Sequence, residues 1–205
     1  MSEAAVPITR TQIDALPARV DELMGDGGDP VLLGAAVVIA TAALHLRCTV
    51  VRPDDVRQAE VWLSSAGALL HARQASPDDP APLVSVPPSS AWIVVARALD
   101  PDPALQAGSG PSPGTMVLDE WCDAARSGGA GVRSVHVVDE LEEDGAVHRR
   151  PLVLVGLGNG WWADLDGAVD RTSPLRLSPM TPWQLTAAVS SLVAGGVAVP
   201  PRAEM

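Results

Sequence analysis

A chain of 205 residues is long enough for one large domain or two small ones. Apolar residues make up 47%, Phe and Tyr are absent, and six Trp carry all the aromatic volume, so Ala, Val and Leu must fill most of a close-packed core. A formal net charge of −11 disfavours phosphate backbones and anionic membrane surfaces, and the best basic run, His148-Arg149-Arg150, is too short to offset it.

Met1-Ser2-Glu3-Ala4-Ala5 has neither the basic nor the apolar region of a signal peptide, so a cytoplasmic, reduced protein is expected. Ile13, Leu16, Val20, Leu23 and Met24 recur at helical spacing and predict a helix over Thr9–Met24, with Pro17 as its weak point. Gly25 to Pro30 is a break. Val31–Leu46 reads as a buried helix; its apolar run is shorter than the ~20 residues that a bilayer span needs. Arg52-Pro53-Asp54-Asp55 reads as a helix start, and Val56, Ala59, Trp62, Leu63, Ala66, Leu69 and Leu70 continue a helical stripe to about Arg73. Ser76–Pro82 is a loop, and Pro87–Ser90 caps a short helix, Ala91–Leu99. Residues 1–100 are therefore expected to form a helical region.

Residues 101–114, rich in Pro and Gly, read as a linker. Thr115–Ala125 fits either a strand or a helix, and the alternation favours a strand ending near Trp121. Val132–Val138 and Leu152–Leu157 are apolar and β-branched, with Glu142-Glu143-Asp144-Gly145 as a turn signal between them. Gly158-Asn159-Gly160 turns the chain into a further strand through Trp161-Trp162 to Asp166. Thr181 as N-cap and Pro182 at the first helical position open a last helix with Leu185, Ala188, Val189 and Leu192 on one face and Gly195-Gly196 as its stop. The expected fold is α+β: an antiparallel sheet of about four strands packed against helices, with a helical N-terminal half and residues 115–197 as a β-meander plus C-terminal helix.

Catalytic motifs are weak. Cys48 and Cys122 belong to no CxxC and read as small hydrophobes. His45, His71, His136 and His148 show no metal-ligand spacing, although His136, His148 and Cys122 could converge on a sheet as a small metal-dependent hydrolase site. Gly156-Leu157-Gly158-Asn159-Gly160 is followed by a strand, where a nucleotide-binding glycine loop needs a helix. Asp164, Asp166 and Asp170 lack the terminal glutamate of a calcium loop. Gly110-Pro111-Ser112-Pro113-Gly114 places its Ser between prolines, not on a strand–helix elbow, and the absence of lysine excludes a P-loop. No cofactor is implied, and an enzyme is the weaker class. Adjacent strand residues face opposite sides, so one of Trp161 and Trp162 can enter the core while the other anchors a partner. Those two rings and the acidic turn Glu142, Glu143 and Asp144 are the candidate partner-binding residues. A structural subunit of an assembly, with Val31–Leu46 buried between copies, is the alternative.

The order of Arg52–Gly67 (RPDDVRQAEVWLSSAG), Val86-Pro87-Pro88-Ser89-Ser90-Ala91-Trp92 to Asp102, the strands at 132–166, and Leu175–Leu185 before a final helix resembles a half-module of the EspG-type chaperones of actinobacterial type VII secretion. The resemblance spans roughly Arg52 to Val193 and is one of order and texture. It implies a cytosolic chaperone that binds an exported helical PE–PPE pair at one end. The chain is shorter than the usual two-half protein, and the Val31–Leu46 helix has no counterpart in the pattern.

Overall fold

A computed structural model describes residues 4–25, 27–73, 76–102, 106–141, 152–164 and 172–197. They form two compact units, one from Met1–Leu46, Gln58–Ala98 and Val189–Met205, the other from Arg47–Arg57 and Leu99–Ala188.

In the first unit, β1 (Ala4–Ile8) leads into α1 (Arg10–Ala15). Thr9 caps α1 reciprocally: its Oγ1 accepts from Gln12 N at 3.1 Å, and Gln12 Oε1 accepts from Thr9 N at 2.9 Å. Pro17 ends that helix and starts a 3-10 turn before α2 (Val20–Leu23), because an interior proline has no N–H to give the ladder. Asp29 then caps α3 (Pro30–Ala40). β2 (Leu44–Arg52) and β3 (Asp55–Ser64) follow, with Arg47–Arg57 counted in the second unit, then β4 (Gly67–Arg73), β5 (Ala81–Val86) and α4 (Ala91–Leu99), whose last residue is also counted there. Ile8, Ile13, Leu16, Leu23, Ala35, Ala36, Val38, Trp62, Leu69 and Leu83 make one apolar core between the helices and the strands.

The second unit contains α5 (Leu118–Ser127), β6 (Val132–Leu141), β7 (Leu152–Leu157), β8 (Gly160–Asp164) and β9 (Leu177–Pro179); α6 (Pro182–Val197) follows. β6, β7, β8 and β9 pair antiparallel in sequence order. Leu118, Trp121 and Ala125 of α5 pack on Val135, Val137, Val153, Val155 and Trp162, which line one face of those strands.

Four expectations are corrected. Strand order runs β1-β5-β4-β3-β2-β6-β7-β8-β9, a nine-stranded sheet and not one of about four; the mixed α+β composition stands. The N-terminal half is not helical, since it carries β1 to β5. Pro53-Asp54 and Ser65-Ala66 are two-residue turns joining β2, β3 and β4, and the second is closed by Ser64 Oγ accepting from Ala66 N at 3.0 Å. The last five residues of β3 are all buried, so the alternation that marks a one-sided strand is lost there. The Val31–Leu46 helix ends at Ala40, and Leu44 already belongs to β2. The predicted strand before Trp121 is the start of α5, where Glu120 Oε2 accepts from Val117 N at 3.0 Å and Gly128 ends the helix at φ 64°.

Both outer strands carry proline: Pro7 in β1 and Pro179 in β9. Each removes a backbone donor from an edge, which discourages another strand from adding there.

Candidate interaction surfaces

Trp161 and Trp162 face opposite sides of β8, as alternation requires, and both are buried, at 3% and 1% exposure. The expectation of one exposed anchor ring is not met. Trp162 lies on the α5 side. Trp161 packs edge-on to His136 at 5.0 Å between centroids, and its indole N–H donates to Asp102 O at 3.4 Å.

Part of the segment read as a linker is held against β8. Gly108 N donates to Trp161 O at 3.0 Å, and Trp161 N donates to Gln106 O at 2.9 Å. Asn159 donates through Nδ2 to Ser109 O at 2.6 Å and accepts the Trp162 indole N–H at 3.2 Å. The Gly158-Asn159 turn thus holds a strap, residues 106–109, over the tryptophans. Glycine is required on both sides of this contact. A Cβ on Gly108 would lie 2.6 Å from Trp162 Cε2, and one on Gly160, at φ 124°, would lie 2.5 Å from Ala107 O.

Asp100, a non-glycine residue at φ 41°, forms a corner before the strap. Its carboxylate accepts from Arg52 Nη1 at 2.8 Å and Arg57 Nη1 at 3.0 Å, while Arg52 Nη2 donates to its carbonyl at 2.6 Å. His136 fixes the preceding residue. Leu99 O can only accept, so His136 Nδ1 donates to it at 2.6 Å, and the neutral ring's Nε2 accepts the Ser134 hydroxyl at 2.9 Å. Burial first, then Arg52, pushes the His136 pKa down to about 4. Both ring nitrogens are engaged, Nδ1 at this corner and Nε2 at Ser134. His148 lies outside the described residues and Cys122 sits half-buried on α5; His136, with one ring nitrogen donating to Leu99 O and the other accepting from Ser134, offers neither to a metal shared with that thiol.

In the first unit, Glu60 is 4% exposed and one of its carboxylate oxygens receives both Arg10 Nη1 and His45 Nε2, the latter at 3.0 Å. His45 stacks on Trp62 at 4.7 Å, and the Arg10 guanidinium lies 5.6 Å from a Trp62 ring centroid. Burial raises the Glu60 pKa, but the His45 hydrogen bond and the charges of Arg10 and His45 outweigh it and hold it down at about 2. Sequence reasoning missed this cluster because it placed Glu60 and Trp62 on a helix, where residues two apart diverge. On one strand they share a face.

The most exposed large apolar side chain of the described residues is Trp183, at 77%, on α6. Thr181 and Gln184 close a reciprocal cap at its start, with Oγ1 accepting from Gln184 N at 3.2 Å and Oε1 accepting from Thr181 N at 2.8 Å. Leu185, Ala188, Val189 and Val193 are half-buried on one stripe. Trp183, Ala187, Ser190 and Ala194 are exposed on the opposite stripe. No charged residue occurs between Arg176 and Arg202.

The predicted acidic turn Glu142, Glu143 and Asp144 lies outside the described residues. No group of three or more His, Cys, Asp or Glu side chains gathers at metal-binding distance among the described residues. No described helix is long and apolar enough to cross a membrane.

No protein-family model matches the chain, and no curated protein matches its sequence. Its fold is similar to that of a chain in the solved structure of the Mycobacterium tuberculosis type VII secretion system chaperone EspG5 in complex with the PE25–PPE41 dimer, at a TM-score of 0.55 and 13% identity. The alignment covers 98% of this chain and 99% of that one, so the likeness is not confined to a half-module over Arg52–Val193. At this identity the likeness is one of fold.

Proposed function

We propose that this chain is a non-catalytic, chaperone-like protein that works in the cytoplasm and binds an exported protein, with a helical pair of the type VII secretion kind as its client. The end-to-end likeness of fold to a chaperone solved with a bound protein dimer supports the reading. The use of His136 to hold the Leu99 carbonyl, rather than a reactive group, agrees with a binding role.

The contact is assigned to the acidic run Glu142-Glu143-Asp144. Trp161 and Trp162 are buried and hold the strap at residues 106–109 against β8. Co-expression with helical PE–PPE-type pairs tests the proposal. A stable complex of one chaperone with one pair is expected, and replacing Glu142, Glu143 and Asp144 with Ala is expected to weaken it severalfold. Recovery of the chain without any pair, across clients from several secretion loci, would overturn the reading.

A further inference from the structure

We propose that α6 is a self-association surface, on which α6 of a second copy lies antiparallel, with Trp183 of each chain seated against Ala194 of the other. The exposed residues Trp183, Ala187, Ser190 and Ala194 have the 4-3-4 spacing of a two-helix seam. The half-buried Leu185, Ala188, Val189 and Val193 lie on the other side of the helix, and the seam residues are exposed among the described residues.

Two features select a second copy as the occupant. The first is charge. Chains of net charge −11 repel one another, yet the stretch from Leu177 to Pro201 contains no charged residue. Every residue of α6 lies in that stretch, so two copies of the helix can meet without opposing like charges of their own. The second is shape. Trp183 is large and stands at one end of the seam; Ala194 is small and stands at the other. An antiparallel pair related by a two-fold axis puts each large residue opposite a small one, and Ala187 opposite Ser190, twice over. Such a self-complementary patch is what an isologous contact requires. Small central residues let the helix axes approach closely, while the indole supplies most of the apolar area.

A helix of 16 residues is about 24 Å long. One such seam buries less than the roughly 800 Å² per partner of a standard interface, so association in the micromolar range or weaker is expected.

Sedimentation equilibrium of the intact chain, from low micromolar to submillimolar concentration, tests this. The average mass should rise with concentration from the monomer toward twice its value. Ala187→Glu puts two carboxylates into the seam and should weaken association at least about tenfold, with the circular dichroism spectrum and Tm unchanged. Mixing Ala187→Glu chains with Ser190→Arg chains should restore it, because the two positions face each other in the antiparallel pair. Trp92→Ala removes another exposed indole, on α4, and should leave association unchanged. A monomer at every concentration would overturn the proposal, as would association that survives Ala187→Glu. Either result leaves the client-binding reading intact, since that is tested by co-purification.

Discussion

Gly108 and Trp162 are packed so closely that a single added methyl carbon at position 108 would lie 2.6 Å from ring atom Cε2 and 2.7 Å from the Trp161 carbonyl. The ring is buried and held by Asn159, so it has nowhere to swing. Gly108→Ala must therefore lift the strap from β8 or shift the tryptophan. Such overpacking costs about 1–3 kcal/mol. A lowered urea midpoint with an unchanged slope is the expected measurement, and a wild-type midpoint would show that residues 106–109 are not tightly held.

His136 predicts a pH dependence. Its folded pKa is pushed down to about 4, below its unfolded value of about 6.5. The unfolded chain therefore binds a proton that the folded chain refuses. Stability is full above about pH 6.5 and falls as pH drops toward 4, by up to about 3 kcal/mol. His71, whose pKa burial also lowers, acts with the same sign. His136→Asn should flatten the fall between pH 6.5 and 4.5 in urea titrations; an unchanged slope would contradict the buried neutral imidazole.

Glu60 acts in a lower window. Its folded pKa of about 2 lies below its unfolded value, so its contribution is present above about pH 4.5 and is lost as pH falls through 2. Glu60→Gln takes the buried carboxylate from His45 and from Arg10, which keeps Asp14 at 2.9 Å, and should cost on the order of 2 kcal/mol at neutral pH. The deficit should shrink on acidification toward pH 2. A constant deficit would mean that the side chain is held by packing alone.

The thiols should differ in reactivity. Burial, with Asp139 adding to it, pushes the Cys48 pKa up to about 12. Cys122 is half-buried on α5. A thiol reagent at pH 8 should leave Cys48 unmodified in the folded chain and label it only after denaturation, because the thiolate is the reacting form. Rapid native labelling of Cys48 would show that β2 opens.

The elements legible in the sequence are those whose pattern reflects one environment. β6, β7 and β8 carry runs of β-branched and aromatic residues between glycine turns, and the cap at Thr181 marks the start of α6. β3 and β4 were read as helix because Val56, Ala59, Trp62, Leu63, Ala66, Leu69 and Leu70 fall at helical spacing. Burial on both sides of residues 60–64 hid the strand period, and Pro53-Asp54 is a hairpin turn with the composition of a helix start. The tryptophan pair was found, but not its cover. The strap reaches Trp161 across more than fifty residues, and pairing of that range leaves no local trace except the glycines at 108 and 160.

The prolines of β1 and β9 bear on how the chain behaves when it is abundant. Sheets with bare margins recruit other polypeptides and grow into fibrils. Here Pro7 and Pro179, in the two outer strands, have no N–H to offer an arriving strand. A concentrated solution should remain free of thioflavin-positive aggregates even while copies associate reversibly through their helices.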